Sequence, residues 1–200
     1  MITKFDIIDY GHGNVGSCKT MFDYLGVESS MVSKPQEISQ NSIIILPGVG
    51  SFDTCMFSLK KTGFYNKIKE LILSDRYLVG ICIGMQMLLD GSEEGNSEGF
   101  GYFNGYAKKF DGNSSSTNIG IKEVIDKENK LKGKYYFIHS YFPTNTVHED
   151  EMAFAKNYIN FPCWLSKKNV IGVQFHPERS SINGRKFFYE IIKNYEKNNH

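Results

Sequence analysis

Apolar positions in the first ninety residues alternate between two spacings. Phe5-Asp6-Ile7-Ile8 is a short apolar run that stops at the glycine-rich turn Asp9-Tyr10-Gly11-His12-Gly13-Asn14. Val15, Cys18, Phe22 and Leu25 then recur at helical spacing, and Gly26 is the expected C-terminal stop. Residues 27–33 read as a second strand. Ser42-Ile43-Ile44-Ile45-Leu46 is β-branched and apolar almost throughout, the pattern of a strand covered on both faces, and it stops at Pro47-Gly48-Val49-Gly50. Helices are predicted over 52–60 and 64–74, and a further strand over 77–81. This strand–helix rhythm predicts a parallel sheet with helices on both faces.

The second half follows a different pattern. Short apolar runs at 102–110, 120–125, 134–140, 152–157 and 170–175 have no helices between them and predict antiparallel additions to the sheet. Asp111 to Asn118 is polar and predicted to be a flexible loop. Phe187, Phe188, Ile191, Ile192 and Tyr195 mark a terminal amphipathic helix. The expected fold is α/β, a flavodoxin- or Rossmann-like three-layer sandwich with a largely parallel central sheet, forming one domain over residues 1–200. Sites in such sheets gather at the C-terminal strand ends. Asp9–Asn14, Pro47–Gly50 and Cys82 all fall there.

Composition changes little in this picture. The chain is 40% hydrophobic and 22% charged with a net charge of +1, so no nucleic-acid or membrane partner is indicated. Four cysteines, Cys18, Cys55, Cys82 and Cys163, show no metal-binding spacing, and neither a metal nor a cofactor is expected. The start of the chain reads as a strand and not as an export signal, which predicts a cytoplasmic protein with reduced thiols.

The candidate chemistry begins at Gly80-Ile81-Cys82-Ile83-Gly84, directly after Tyr77-Leu78-Val79. A strand running into a turn with glycine on both sides of a cysteine is the nucleophile-elbow pattern, with Cys where many hydrolases carry Ser. An apolar stretch follows, 85–89, so the sulfur would sit at a helix start where N–H groups favour a thiolate. Alone, a cysteine in an apolar strand is as readily a small core residue. The balance shifts at His176-Pro177-Glu178, which follows the strand 170–175. Two residues apart in extended chain, His176 and Glu178 project to the same side, and Pro177 favours extended geometry at His176. A nucleophile, a base and an orienting carboxylate are then all present.

These segments resemble the triad-type class I glutamine amidotransferases. Within that class the chain is most similar to the glutaminase subunits of imidazole glycerol phosphate synthase. The matching stretches are 8–14, 46–52, 80–86, Ser92-Glu93-Glu94-Gly95, Tyr135-Tyr136-Phe137-Ile138-His139-Ser140-Tyr141 and 172–178. The resemblance implies that Cys82 attacks the side-chain amide of L-glutamine, that His176 carries the proton to the leaving ammonia, and that Glu178 orients His176. Backbone N–H groups at Gly48, Val49 and Gly50, and at Ile83 after the nucleophile, are the candidate oxyanion hole. Gln86, Glu94 and the stretch His139-Ser140-Tyr141 match positions that hold the substrate's α-amino and α-carboxylate ends.

The resemblance further implies a heterodimer with a (β/α)8-barrel cyclase. That partner joins the ammonia to a phosphoribulosyl-formimino intermediate, giving imidazole glycerol phosphate and an aminoimidazole carboxamide ribotide in histidine biosynthesis. Tyr10, His12, Asn14, Tyr136 and Arg179 are the candidate partner-facing positions, with ordinary exposed turn residues as the equal alternative. Two departures stand out. Where the family has Pro-His-Met-Gly-Trp-Asn, this chain has Thr117-Asn118-Ile119-Gly120-Ile121-Lys122, and Arg179 replaces the usual Lys. The altered segment leaves open a second partner, a sugar amidotransferase of bacterial surface-glycan synthesis. A non-catalytic regulatory subunit and a free-standing cysteine hydrolase are the readings from other classes.

Overall fold

The computed structural model describes residues 3–111, 117–128 and 132–198. The first half alternates as its apolar spacing predicts. It runs β1 (Lys4–Ile8), α1 (Val15–Leu25), β2 (Glu28–Val32), β3 (Ser42–Gly48), α2 (Phe52–Thr62), α3 (Phe64–Leu73), β4 (Leu78–Cys82) and α4 (Ile83–Met87). Gly26 closes α1 in the left-handed conformation, φ 68°. Every residue of β3 is buried, which requires cover on both faces because successive side chains alternate.

The second half contributes β5 (Gly91–Ser92), β6 (Tyr106–Lys109), β7 (Asn118–Asp126), β8 (Gly133–His139), β9 (Tyr141–Thr144), β10 (Glu151–Lys156), β11 (Asn160–Lys167), β12 (Val170–Val173) and α5 (Ser181–Asn198). The main sheet has the order β2-β1-β3-β4-β12-β11-β10-β7-β8. It is parallel from β2 to β12 and antiparallel from β12 to β8. The expected α/β class, with a parallel centre and antiparallel additions, is the fold observed. On one face Phe5 of β1 stacks on Phe22 of α1 at 4.1 Å, and Phe188 of α5 meets both rings edge-on.

Several boundaries differ from the sequence expectation. The strand expected over 102–110 shrinks to β6, and that expected over 170–175 ends at Val173. The apolar pattern does not predict β5, β9 or β11. β11 buries Phe161, Cys163 and Leu165 in strict alternation, but Pro162 within it masks the strand signal; β9 carries Pro143. Of the predicted flexible loop, residues 112–116 lie outside the described residues. All four cysteines are free and buried. Among the described residues, no helix is long and apolar enough to cross a membrane.

Two features of this sheet place the site. First, the antiparallel half curls back, so that β8 makes a bridge between Tyr136 and His176 just beyond β12. Second, α4 lies directly against the parallel strands. A Cβ on Gly84 would sit 1.9 Å from the Leu46 carbonyl oxygen, and one on Gly80 would sit 2.6 Å from the Gly84 carbonyl oxygen. Only hydrogen fits at either position.

Gly84→Ala is therefore expected to lower stability by about 3 kcal/mol and the melting temperature by roughly 6–12 °C. Thermal unfolding followed by circular dichroism checks this; an unchanged midpoint contradicts the close approach.

Candidate active site

β4 delivers Cys82 at its last position, and the chain turns at that residue into α4. The backbone of Cys82 has φ 56° and ψ −109°, a conformation that costs a non-glycine residue about 1–3 kcal/mol. That strain lifts the sulfur out of the strand, as the flanking glycines predict. The helix that follows has only five residues, so the expected dipole contribution comes from little more than one turn.

His176 is fixed from three sides. Its N–H donates to the Tyr136 carbonyl at 2.8 Å. The Ser180 hydroxyl donates to the His176 carbonyl at 2.6 Å and accepts from the Tyr136 N–H at 3.0 Å. The imidazole Nδ1 lies 2.7 Å from Glu178 Oε1, so Nδ1 carries the proton that the carboxylate accepts. The pair does not sit in extended strand as expected. Residues 177–179 form a 3-10 turn, which swings Glu178 under the ring. Asn14 Nδ2 donates to the same Glu178 oxygen at 3.4 Å. His176 Nε2 is buried without a hydrogen bond. Burial disfavours the imidazolium, but interaction with Cys82 and Glu178 outweighs it and holds His176 above the ordinary imidazole range.

Besides His176, the sulfur meets two further polar groups. Cys82 Sγ donates to the Ile138 carbonyl at 3.9 Å, and Gln174 Nε2 donates to Sγ at 3.7 Å. Gln174 lies within the matching stretch 172–178, and its only sequence signal is the two-residue spacing from His176.

A cavity of about 260 Å³ opens beside the sulfur, lined by Val49, Gly50, Cys82, Ile83, Gln86, Glu94, Thr117, Ile138, His139, Ser140, Tyr141 and His176. It gathers Cys82, His176 and the residues expected to hold the two ends of the substrate, Gln86, Glu94, His139, Ser140 and Tyr141. Of the expected oxyanion set, Gly48 is not in its lining and pairs with Cys82 across β3 and β4. A larger groove of about 400 Å³ runs behind Glu178, between α1 and α5, and contains neither the sulfur nor His176.

The strip 47–50 is held from below. The Tyr10 hydroxyl donates to the Pro47 carbonyl at 2.9 Å, and the Cys55 thiol donates to the Val49 carbonyl at 3.8 Å. Gln86 is fully buried and not a surface helix residue. Its Nε2 donates to the Tyr141 carbonyl and to Gln174 Oε1, both at 3.0 Å, and its Oε1 is buried without a partner. Glu94 Oε2 accepts from the Phe52 N–H at the start of α2, at 2.7 Å. Burial raises its pKa, and that hydrogen bond opposes the rise. Both ring nitrogens of His139 are engaged, by the Tyr141 carbonyl at 2.7 Å and Asn118 Nδ2 at 2.9 Å. Burial drives its pKa to about 3, so His139 is a neutral wall of the cavity.

The partner-facing positions divide. Arg179 is exposed and its guanidinium lies 4.4 Å from the centre of the Tyr136 ring. His12 is partly buried beside Ser58 at 3.0 Å. Tyr10, expected as a surface contact, is instead buried, because its ring packs into the core while its hydroxyl reaches Pro47. Asn14 points inward to Glu178. Among the described residues, no cluster of three or more His, Cys, Asp or Glu side chains could hold a metal ion.

Glu178→Gln removes a charge that raises the His176 pKa, so His176 should lose its proton at lower pH. A downward shift of about one unit or more, read from the imidazole nitrogens by NMR, is expected; an unchanged titration contradicts the coupling.

Comparison with known proteins gives the family and the fold. The family model "Glutamine amidotransferase class-I" matches residues 6–193. The chain is 37% identical over 191 residues to the imidazole glycerol phosphate synthase subunit HisH of Leptospira interrogans, covering 89% of this chain and 94% of that protein. It is 36% identical over 200 residues to the imidazole glycerol phosphate synthase subunit HisH 2 of Methanococcus maripaludis, covering 94% and 98%. Among solved structures it is similar to PurLQS from Thermotoga maritima, with a TM-score of 0.75 at 17% identity, covering 97% and 99% of the two chains. A glutamine amidotransferase crystal structure superposes with a TM-score of 0.73 at 16% identity, covering 96% and 98%. A nucleophile elbow and a histidine–carboxylate pair meet at one cavity in a chain matched by the family model almost end to end, and the chain therefore belongs to the class-I glutamine amidotransferases, enzymes that use a cysteine nucleophile as glutaminases.

Proposed function

We propose that residues 1–200 act as one glutaminase domain, the ammonia-producing subunit of an imidazole glycerol phosphate synthase, working in the cytoplasm. The observation that carries the catalytic part is His176, tied through Nδ1 to Glu178 at 2.7 Å with Nε2 left unbonded in the pocket of Cys82.

In this reading the Cys82 thiol gives its proton to His176 Nε2, and Glu178 stabilises the imidazolium. The thiolate attacks the side-chain amide carbon of L-glutamine, and the C=O electrons move to oxygen. N–H groups of Val49, Gly50 and Ile83 are the donors for that oxyanion. As the tetrahedral adduct collapses, the C–N bond breaks and the imidazolium protonates the leaving nitrogen, releasing ammonia and a glutamyl thioester. Water, deprotonated by His176, then adds to the thioester and frees glutamate and the thiol.

The cavity supplies the specificity. Gln86 Oε1 is a buried acceptor with no donor, and Glu94 presents a carboxylate at the same wall; both suit the α-ammonium group. The α-carboxylate needs donors, which the backbone of 139–141 and the Ser140 hydroxyl can supply.

The ammonia must reach an acceptor before it is lost to water, which favours a docked synthase. Identity to the two synthase subunits supports the barrel cyclase as that partner. One observation supports the second reading, a sugar amidotransferase: Ile119 and Ile121, in the segment that departs from the family, are 56% and 68% exposed. The intact Cys82, His176 and Glu178 count against a non-catalytic subunit.

Cys82→Ala should reduce glutamine hydrolysis by at least about 1,000-fold while the chain still co-purifies with its synthase and the synthase still works on added ammonium salt. Retained hydrolysis contradicts the mechanism. Glutaminase activity of the wild-type chain alone should be low and rise when the liganded partner is added; full activity alone contradicts channelling. Mass spectrometry of the partner captured from native cells separates the two readings: a barrel cyclase supports the first, and a sugar-modifying ligase replaces it with the second.

A further inference from the structure

We infer that Gln174 is an additional catalytic group, an amide donor to the nucleophilic sulfur whose orientation is set by the substrate-contacting Gln86. The inference rests on the reading of Cys82 as the nucleophile.

The local chain explains how Gln174 reaches the sulfur. Beyond β12 the backbone continues to His176, and residues two apart project to one side. Phe175 points into the aromatic core, 5.9 Å from Phe137 and 5.7 Å from Phe187 between ring centres. Gln174 and His176 point the other way, toward Cys82. Gln174 is fully buried, and its Nε2 lies 3.7 Å from Sγ.

An amide presents a donor on one side and an acceptor on the other, so its orientation decides what the sulfur meets. That orientation is determined by a group with no choice. The Tyr141 backbone carbonyl can only accept, and the Gln86 amide meets it at 3.0 Å, so Gln86 must turn its NH2 that way. The second hydrogen of the same NH2 points to Gln174 at 3.0 Å, which must therefore offer its oxygen. The NH2 of Gln174 is then left facing Sγ. A relay of fixed polarity runs from the Tyr141 carbonyl through Gln86 and Gln174 to Cys82.

A donor to sulfur favours the thiolate over the thiol. The relay also ends in the substrate cavity. Gln86 lines that cavity and its Oε1 is buried without a partner, so a substrate ammonium that reaches Oε1 polarises the Gln86 amide and strengthens each hydrogen bond down the chain. The sulfur would thus be readied by occupancy of the cavity. Other ionisable groups lie around it: His176 from the chain after β12, Tyr10 from the loop after β1 and Cys55 from α2 interact with it, Glu94 and neutral His139 line the same cavity, and Glu178 lies behind His176. None of these is altered by changing Gln174.

If Gln174 merely fills space and satisfies its neighbours, replacing it changes stability and leaves the ionisation of Cys82 alone. The pH dependence of Cys82 alkylation distinguishes the two. Intact wild-type chain, Gln174→Met and Gln174→Leu are treated with iodoacetamide across a pH series, and modification of the peptide containing Cys82 is followed by mass spectrometry. The midpoint should move up by about one unit in Gln174→Met and kcat should fall about tenfold. Gln174→Leu also removes the donor without adding a charge, so it carries the test if the Met variant does not fold, and its midpoint should again rise. Wild-type midpoints in the folded variants overturn the inference while leaving Cys82 as the nucleophile. Wild-type chain that still hydrolyses glutamine after complete alkylation of Cys82 overturns both.

Discussion

The site depends on one close approach of two backbones. α4 lies so near β3 that a methyl group at Gly84 would meet the Leu46 carbonyl at 1.9 Å. Two residues before that contact Cys82 leaves the strand and takes φ 56°. The strain is borne by a parallel sheet whose central strands are buried throughout. A packed core of that kind is stiff enough to over-determine an unfavourable backbone conformation. Cys82 is thus positioned by the buried centre of the sheet, and the strip 47–50 beside it begins at the end of β3.

The second requirement comes from the opposite half of the sheet. The antiparallel strands curl until β8 meets the chain beyond β12, and Tyr136 and Ser180 hold the His176 backbone. The imidazole is then clamped by a buried carboxylate at 2.7 Å. Burying such a pair would be costly if either member stood alone. Here Cys82 and Glu178 raise the imidazole pKa against the effect of burial, and Asn14 adds a donor to the carboxylate. The two halves of the chain contribute different parts: the parallel half supplies Cys82 and the strip, and the antiparallel half supplies His176 and half of the cavity lining.

Much of this was legible before any coordinates. The helix and strand spacings before residue 90 correspond to the observed elements because both periods are strongly expressed there. The elbow and the His-Pro-Glu segment were legible because their chemistry demands particular residues at short spacing. Other features were hidden for physical reasons. Pro162 and Pro143 obscure β11 and β9, whose pairing is decided by distant strands. The burial of Tyr10 follows from a hydrogen bond to Pro47, 37 positions away. The relay through Gln86 and Gln174 joins residues 88 positions apart, which no local pattern encodes.

The central claim is that Cys82 forms a covalent bond to the glutamyl group with His176 as its proton carrier. Acid quenching during turnover of labelled L-glutamine, followed by peptide mapping, tests this most directly. The account predicts a glutamyl thioester on the peptide containing Cys82, and its absence in Cys82→Ala. Glutamate formation at the wild-type rate with no adduct at Cys82, or with the adduct on Cys18, Cys55 or Cys163, would contradict it.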